Sequence, residues 1–377
     1  MVAVTGGAPA APTTMPLRVR AWGWFMNRFR SMHIATMSPG DITHNQTMQH
    51  VPAPVRRLLF GARDPRVTTD DRTIPPAPGS STGIPIRIYR PRTAEPAHLP
   101  TAGAPPLPIA MYLHGGGWTL FGALDMCDWL PSRVAAQLGA VVVAVDYRLA
   151  PEHPFPAAVD DSLAALAWVA DHAAELGADP ARLSVFGDSA GGNLAAVLSI
   201  LARDANRAST APSHGGDTAP APPSAHGDSP DSGGPARSLP RIAAQALIYP
   251  VTDTVLDDAS MRSNARSPVL HQADMVAFLD YYLGAERDAP ARTDARAAPL
   301  RAATLANLPP ALVQLGGHDV LHDQGLAYAR RLAGDGTDVT LIDYPEAPHG
   351  WVTYPTIIRV ATRAADDLVS FLRLNLG

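Results

Sequence analysis

The 377-residue sequence predicts an α/β fold, a mostly parallel sheet flanked by helices, on three observations. Past Val67, apolar β-rich runs alternate with runs at helical spacing, as in repeated strand-helix-strand units. One strand run leads straight into Gly187-Asp188-Ser189-Ala190-Gly191, and a helix run follows at once. The composition is 46% hydrophobic, enough to bury a large core in one domain with an appended cap or in two smaller domains.

In chain order, residues 1–15 are small, proline-rich and uncharged, and read as a disordered tail. From Leu17 to His33, Trp22, Trp24, Phe25 and Phe29 interleave with Arg18, Arg20, Arg28 and Arg30, which predicts an amphipathic helix. Its apolar side lies on a membrane surface or over the protein's own active site. The second is the simpler reading, and it makes 16–50 an N-terminal cap segment. Residues 51–254 form the first part of the core. Its strands are expected at Gly83–Tyr89, Pro108–Leu113, Ala140–Asp146, Arg182–Phe186 and Ile242–Tyr249, with helices over Ala158–Leu176 and Leu194–Leu201. Within it, 205–240 is almost wholly Ala, Pro, Ser, Gly, His, Asp and Thr and has nothing to pack with, so it reads as a disordered insertion. Residues 255–300, polar around a helical Gln272–Leu283, form a second cap segment. The core resumes over 301–377, with strands at Ala311–Leu315 and Asp338–Asp343.

Gly187-Asp188-Ser189-Ala190-Gly191 is G-x-S-x-G in the strand-turn-helix setting that gives the motif meaning: a turn sharp enough to need small residues around the serine. Ser189 is the candidate nucleophile, held near the positive end of the following helix. Upstream, His114-Gly115-Gly116-Gly117-Trp118 follows an apolar strand, and its glycines let several amides aim at one point. The amides of Gly116, Gly117 and Ala190 are the candidate oxyanion donors. A base must then come from a loop after a late strand, with an acid between it and the serine in chain order. His349 and Asp319 stand where that order requires, and Asp323 and Asp343 are the rival acids. The chemistry this constellation supports is attack on a carbonyl through a tetrahedral intermediate. His318 and His322, four apart, also permit a metal reading, but no third ligand cluster accompanies them, and no metal is expected.

These residues resemble the hormone-sensitive lipase-like (bacterial family IV) esterases in their G-D-S-A-G branch, over about 85–204 and 241–377. The resemblance rests on H-G-G-G-W, Asp146-Tyr147-Arg148-Leu149-Ala150-Pro151-Glu152, Gly187–Asn193, Leu308-Pro309-Pro310, Asp319 and His349, in the family's order. It implies an α/β-hydrolase with an eight-stranded, mostly parallel sheet and a helical cap, acting as a cofactor-free serine carboxylesterase on short-to-medium-chain esters through an acyl-enzyme. Two features depart from the pattern. The family's D-P-L-x-D-E is here Asp319-Val320-Leu321-His322-Asp323-Gln324, and the insertion at 205–240 is longer than the usual connection. The alternatives are lactone, carbamate or peptide hydrolysis, or a catalytically silent small-molecule receptor. A receptor that had lost its base would show another residue at His349.

Charge and composition limit the rest. All 30 basic residues are arginine, which excludes Schiff-base chemistry and a phosphate-loop lysine. A net charge of −5 leaves no footprint for nucleic acid and favours a small neutral substrate, which the resemblance makes an ester. The single Cys127 forms no intramolecular disulfide, and no apolar run is long enough for stable membrane insertion. A cytoplasmic monomer or homodimer is the expectation.

Overall fold

The computed structural model describes residues 13–28, 33–46, 51–92, 105–122, 124–210 and 239–377. Three helices come first: α1 (Leu17–Arg28), α2 (Pro39–Asn45) and α3 (Ala53–Phe60). Then β1 (Val67–Ile74), β2 (Ile84–Pro91) and β3 (Leu107–Leu113) lead to α4 (Trp129–Leu138), β4 (Val141–Val145), α5 (Ala157–Asp171), β5 (Ala178–Asp188), α6 (Ala190–Thr210) and β6 (Ala244–Ile248). After α7 (Ala259–Ser263) and α8 (Gln272–Leu283) the alternation resumes with β7 (Ala311–His318), α9 (His322–Gly334), β8 (Val339–Pro348) and α10 (Val360–Leu376).

The eight strands form one sheet in the order β1-β2-β4-β3-β5-β6-β7-β8. β1 and β2 pair antiparallel, as do β2 and β4, and every later pairing is parallel. The parallel strands are buried on both faces, which is why they read as continuous apolar runs. Alternation still sorts their side chains. Ile109, Met111 and Leu113 of β3 meet Val141, Val143 and Val145 of β4 in one core under α5 and α6, while Ala110, Tyr112, Val142 and Ala144 face the other core under α4 and α10.

Several boundaries differ from those predicted, each for a local reason. β1 was not among the runs read as strands: VTTDDRTI is polar on both faces, and only its ends are buried, as suits an edge strand. α5 stops at Asp171 rather than Leu176, and turns lead into β5, which begins at Ala178. α6 continues to Thr210 and so makes helix of the first residues of the 205–240 segment, while 211–238 lie outside the described residues. α1 ends at Arg28, and His33 is already extended (φ −116°). Of the expected tail, 1–12 lie outside the described residues, but Thr13 is bound at both backbone polar groups: its amide donates to Pro345 O (3.3 Å) and its carbonyl meets His318 Nε2 (2.6 Å).

That last contact bears on the metal alternative. His318 closes β7 and His322 opens α9, so the two do not share a helical face. His322 instead lies between Asp323 (Nδ1 to Oδ1, 3.0 Å) and Asp343 (Nε2 to Oδ2, 3.1 Å). Burial disfavours its charged form, but the hydrogen bonds to Asp343 and Asp323 outweigh burial and hold its pKa up at about 9. A pKa raised in the folded state gives stability that is complete below the unfolded value of about 6.5 and is lost as pH rises through about 9. The thermal midpoint is therefore expected to fall between pH 7 and pH 10, and to fall less in a His322→Gln variant measured alongside.

Candidate active site

The site is assembled where β3, β5, β7 and β8 end. β5 delivers Ser189 on a turn tight enough to force its φ to +56°, a left-handed conformation kept only where the surroundings impose it. Two glycines make the turn possible. A Cβ at Gly191 would overlap the Leu113 carbonyl, and one at Gly187 would overlap the Gly191 carbonyl. The Ser189 amide donates to Ile248 O (2.8 Å), pinning the elbow to β6.

His349, in the loop after β8, comes to Ser189 through Nε2 (2.9 Å to Oγ) and to Asp319 through Nδ1 (2.7 Å to Oδ2). All three residues are buried. Asp319 is itself held, since its Oδ1 accepts from the Leu321 amide (2.9 Å) and Asn264 Nδ2 reaches its carbonyl (3.0 Å). Neither rival acid touches this histidine. Asp323 accepts from the Ser260 amide (2.8 Å), and both rivals bind His322. The three residues predicted from motif order thus form one hydrogen-bonded chain.

The glycine loop after β3 stands opposite. Gly116 and Gly117 line the same cavity as Ser189, with φ of +113° and +60°, and among the described residues their amides donate to no protein acceptor. The resemblance motifs brace this loop. The His114 ring stacks on Tyr147 (centroids 4.3 Å, 7°), and the Tyr147 hydroxyl donates to the His114 carbonyl (2.6 Å). Arg148 pairs with buried Asp161 (2.8 Å), and Glu152 accepts from Gln46 Nε2 (3.0 Å), tying α2 down.

A second hub was not assigned from sequence. Asp188, quoted only as the variable position of the motif, is buried under the elbow. It accepts from the Tyr112 hydroxyl (2.7 Å), the Gly115 amide (3.0 Å) and the Tyr249 hydroxyl (3.2 Å). Tyr249 lies against the His349 ring (4.4 Å). One carboxylate so joins the glycine loop, the elbow and the residue packed on the imidazole. Burial pushes the Asp188 carboxyl above its ordinary value, against the Tyr112 hydrogen bond. Tyr249 carried no sequence signal, because its role depends on three strands meeting.

Two segments roof the cavity. Met26 and Ile34 come from the N-terminal side, and Val269, Met275 and Phe278 from around α8. They are joined by His33, whose Nδ1 meets Asp274 (2.9 Å) and whose ring stacks on His271 (4.0 Å, 17°). These three residues offer ligand atoms within 4.8 Å of one another, but parallel rings do not aim two in-plane lone pairs at one ion. Trp118 stacks on Tyr282 (4.3 Å, 6°), coupling the glycine loop to α8. The cavity is small, with a volume of about 80 Å³.

A sheet of this order, with a serine elbow after β5 and a histidine after β8, defines an α/β hydrolase. The family model described as the alpha/beta hydrolase fold matches residues 110–353. The carboxylesterase NlhH of Mycobacterium tuberculosis is 37% identical over 313 residues, covering 83% of this chain and 84% of that one. An ethyl acetate hydrolase of Pseudomonas putida is 34% identical over 319 residues, 85% of this chain and 86% of its own. Among solved structures, the ester-hydrolase EH1AB1 from the Lake Arreo metagenome superposes with a TM-score of 0.75 at 29% identity, covering 97% of this chain and all of that one. The chain belongs to the α/β hydrolase superfamily, in its hormone-sensitive lipase-like branch.

Proposed function

We propose that this protein hydrolyses short-to-medium-chain carboxylic esters, with Ser189 as nucleophile, His349 as general base and Asp319 as the acid that orients it. The observation that carries this reading is the unbroken Asp319–His349–Ser189 chain at 2.7 and 2.9 Å, opening into a mainly apolar cavity. His349 Nε2 takes the Ser189 proton as Oγ attacks the carbonyl, and Nδ1–H donates to Asp319 and stabilises the imidazolium. The oxyanion settles among the Gly116, Gly117 and Ala190 amides. The imidazolium then protonates the leaving alcohol. Water, deprotonated by His349, releases the acid from the acyl-enzyme. No cofactor is needed in this scheme. The ester specificity of the relatives supports the reaction class, and the cavity lined by Met26, Met275 and Phe278 supports a short acyl chain.

Turnover of a p-nitrophenyl ester series from acetate to palmitate tests this. Hydrolysis should peak at the short end and fall for chains too long for the cavity, while inactivity on every ester by folded protein would refute it. Gly117→Ala supplies a sharper check. A methyl there would overlap the Phe278 ring, at a residue whose φ is +60°. Displacing one oxyanion donor should lower kcat about 100-fold.

A further inference from the structure

We propose that the outer face of α1, with the neighbouring α3, docks this protein on an anionic phospholipid surface. The two faces of α1 are distinct. Val19, Gly23 and Met26, spaced four and three apart, are buried. Leu17, Ala21, Trp24 and Arg28, spaced four, three and four apart, lie on the opposite side and are exposed, Leu17 at 78% and Trp24 at 71%. Large apolar side chains that face solvent are concentrated here. Of the seven found exposed among the described residues, Leu17, Trp24, Phe25, Val55 and Leu58 belong to α1 and α3, leaving only Val255 and Leu374 elsewhere. The two helices meet around Tyr354, which packs against Trp22 (5.4 Å) on one side and Phe60 (5.6 Å) on the other.

Charge selects the occupant. α1 and α3 carry Arg18, Arg20, Arg28, Arg56 and Arg57 and no acidic residue, in a chain whose net charge is −5. Arg359 stands near enough to Arg18 to lower its pKa, a cause second only to burial. A second copy of the chain docking by a two-fold axis would set this arginine field against itself. A lipid surface satisfies both chemistries: phosphates take the guanidinium groups while Trp24, Phe25, Leu17 and Leu58 enter the headgroup region. No described helix is long and apolar enough to cross a membrane, so the contact is adsorption.

The placement has a functional reason. Met26, on the inner face of α1, lines the cavity that holds Ser189, and so does Tyr354. The lipid-facing side chains therefore lie about one helix diameter, roughly 10 Å, from the site. Esters that partition into a bilayer would be presented beside the cavity.

Co-sedimentation of the full chain with vesicles of phosphatidylcholine, alone or mixed with phosphatidylglycerol, tests the proposal. Binding is expected on the anionic vesicles at low salt and should decline as salt is raised. Arg18→Gln with Arg20→Gln should lower the partition coefficient on the order of tenfold, and Trp24→Ser should lower it by several-fold or more. All variants should keep wild-type turnover of p-nitrophenyl acetate in solution. Should Trp24→Ser lose that turnover, Leu58→Ser replaces it. Absence of wild-type binding to anionic vesicles, equal binding by wild type and variants, or a concentration-dependent dimer abolished by Trp24→Ser without vesicle binding would each overturn it. Vesicle binding needs no hydrolysis and the soluble assay needs no vesicles, so failure here is distinguishable from failure of the proposed reaction.

Discussion

Ser189→Ala is expected to lower kcat/KM on a p-nitrophenyl ester by at least about 10⁴-fold with the circular dichroism unchanged. On the proposed mechanism no neighbour can replace Ser189, because the buried cavity leaves His349 Nε2 only the Ser189 hydroxyl within hydrogen-bond reach among the described residues. What remains should be the contribution of the oxyanion donors and of binding, a residual acceleration over water of about 10³–10⁴ in comparable sites. The elbow itself should persist. Its geometry is set by Gly187, Gly191 and the Ser189 amide bond to Ile248, none of which involves the hydroxyl.

The second large effect separates the acid from its rivals. Asp319→Asn should cost about 10⁴-fold in kcat, because an amide that donates to Nδ1 leaves the proton on Nε2, facing Ser189. Asp323→Asn should leave kcat within several-fold of wild type. Asp323 serves the Ser260 amide and His322, not His349, so its loss should appear in thermal stability near neutral pH. Equal loss of kcat in the two variants would mean that the carboxylate at 2.7 Å does not set the tautomer.

How much of this was legible in the sequence follows from how local each signal is. Ser189, Gly116 and Gly117 are marked by short motifs, because a sharp turn and a backbone cradle impose glycine at fixed spacing. His349 and Asp319 were singled out through chain order, because the doubly covered sheet fixes which loops can reach the serine, and the structure brings both into one hydrogen-bonded chain with it. The parallel strands were visible as apolar runs. β1 was not, because an edge strand with solvent on both sides keeps polar residues. The ends of α5 and α6 were misplaced, since their stops depend on packing and turns rather than on periodicity. The Asp188–Tyr112–Tyr249 hub was hidden for the same reason: its members are 61 and 76 residues apart and meet only when β3, β5 and β6 lie side by side. α1 was read as a helix over the active site or as one on a membrane. In the structure its inner face covers the cavity, and its outer face is left to solvent.

The most direct test of the central claim is the site of covalent modification by a fluorophosphonate ester, mapped by tandem mass spectrometry after trypsin. Cleavage at Arg182 and Arg203 yields Leu183–Arg203, which contains Ser184, Ser189 and Ser199, so the fragment ions decide among three hydroxyls. The adduct is expected on Ser189 alone, in proportion to the activity lost, and absent from Ser189→Ala. Stoichiometric labelling at any other residue, or full inactivation with Ser189 unmodified, would contradict it.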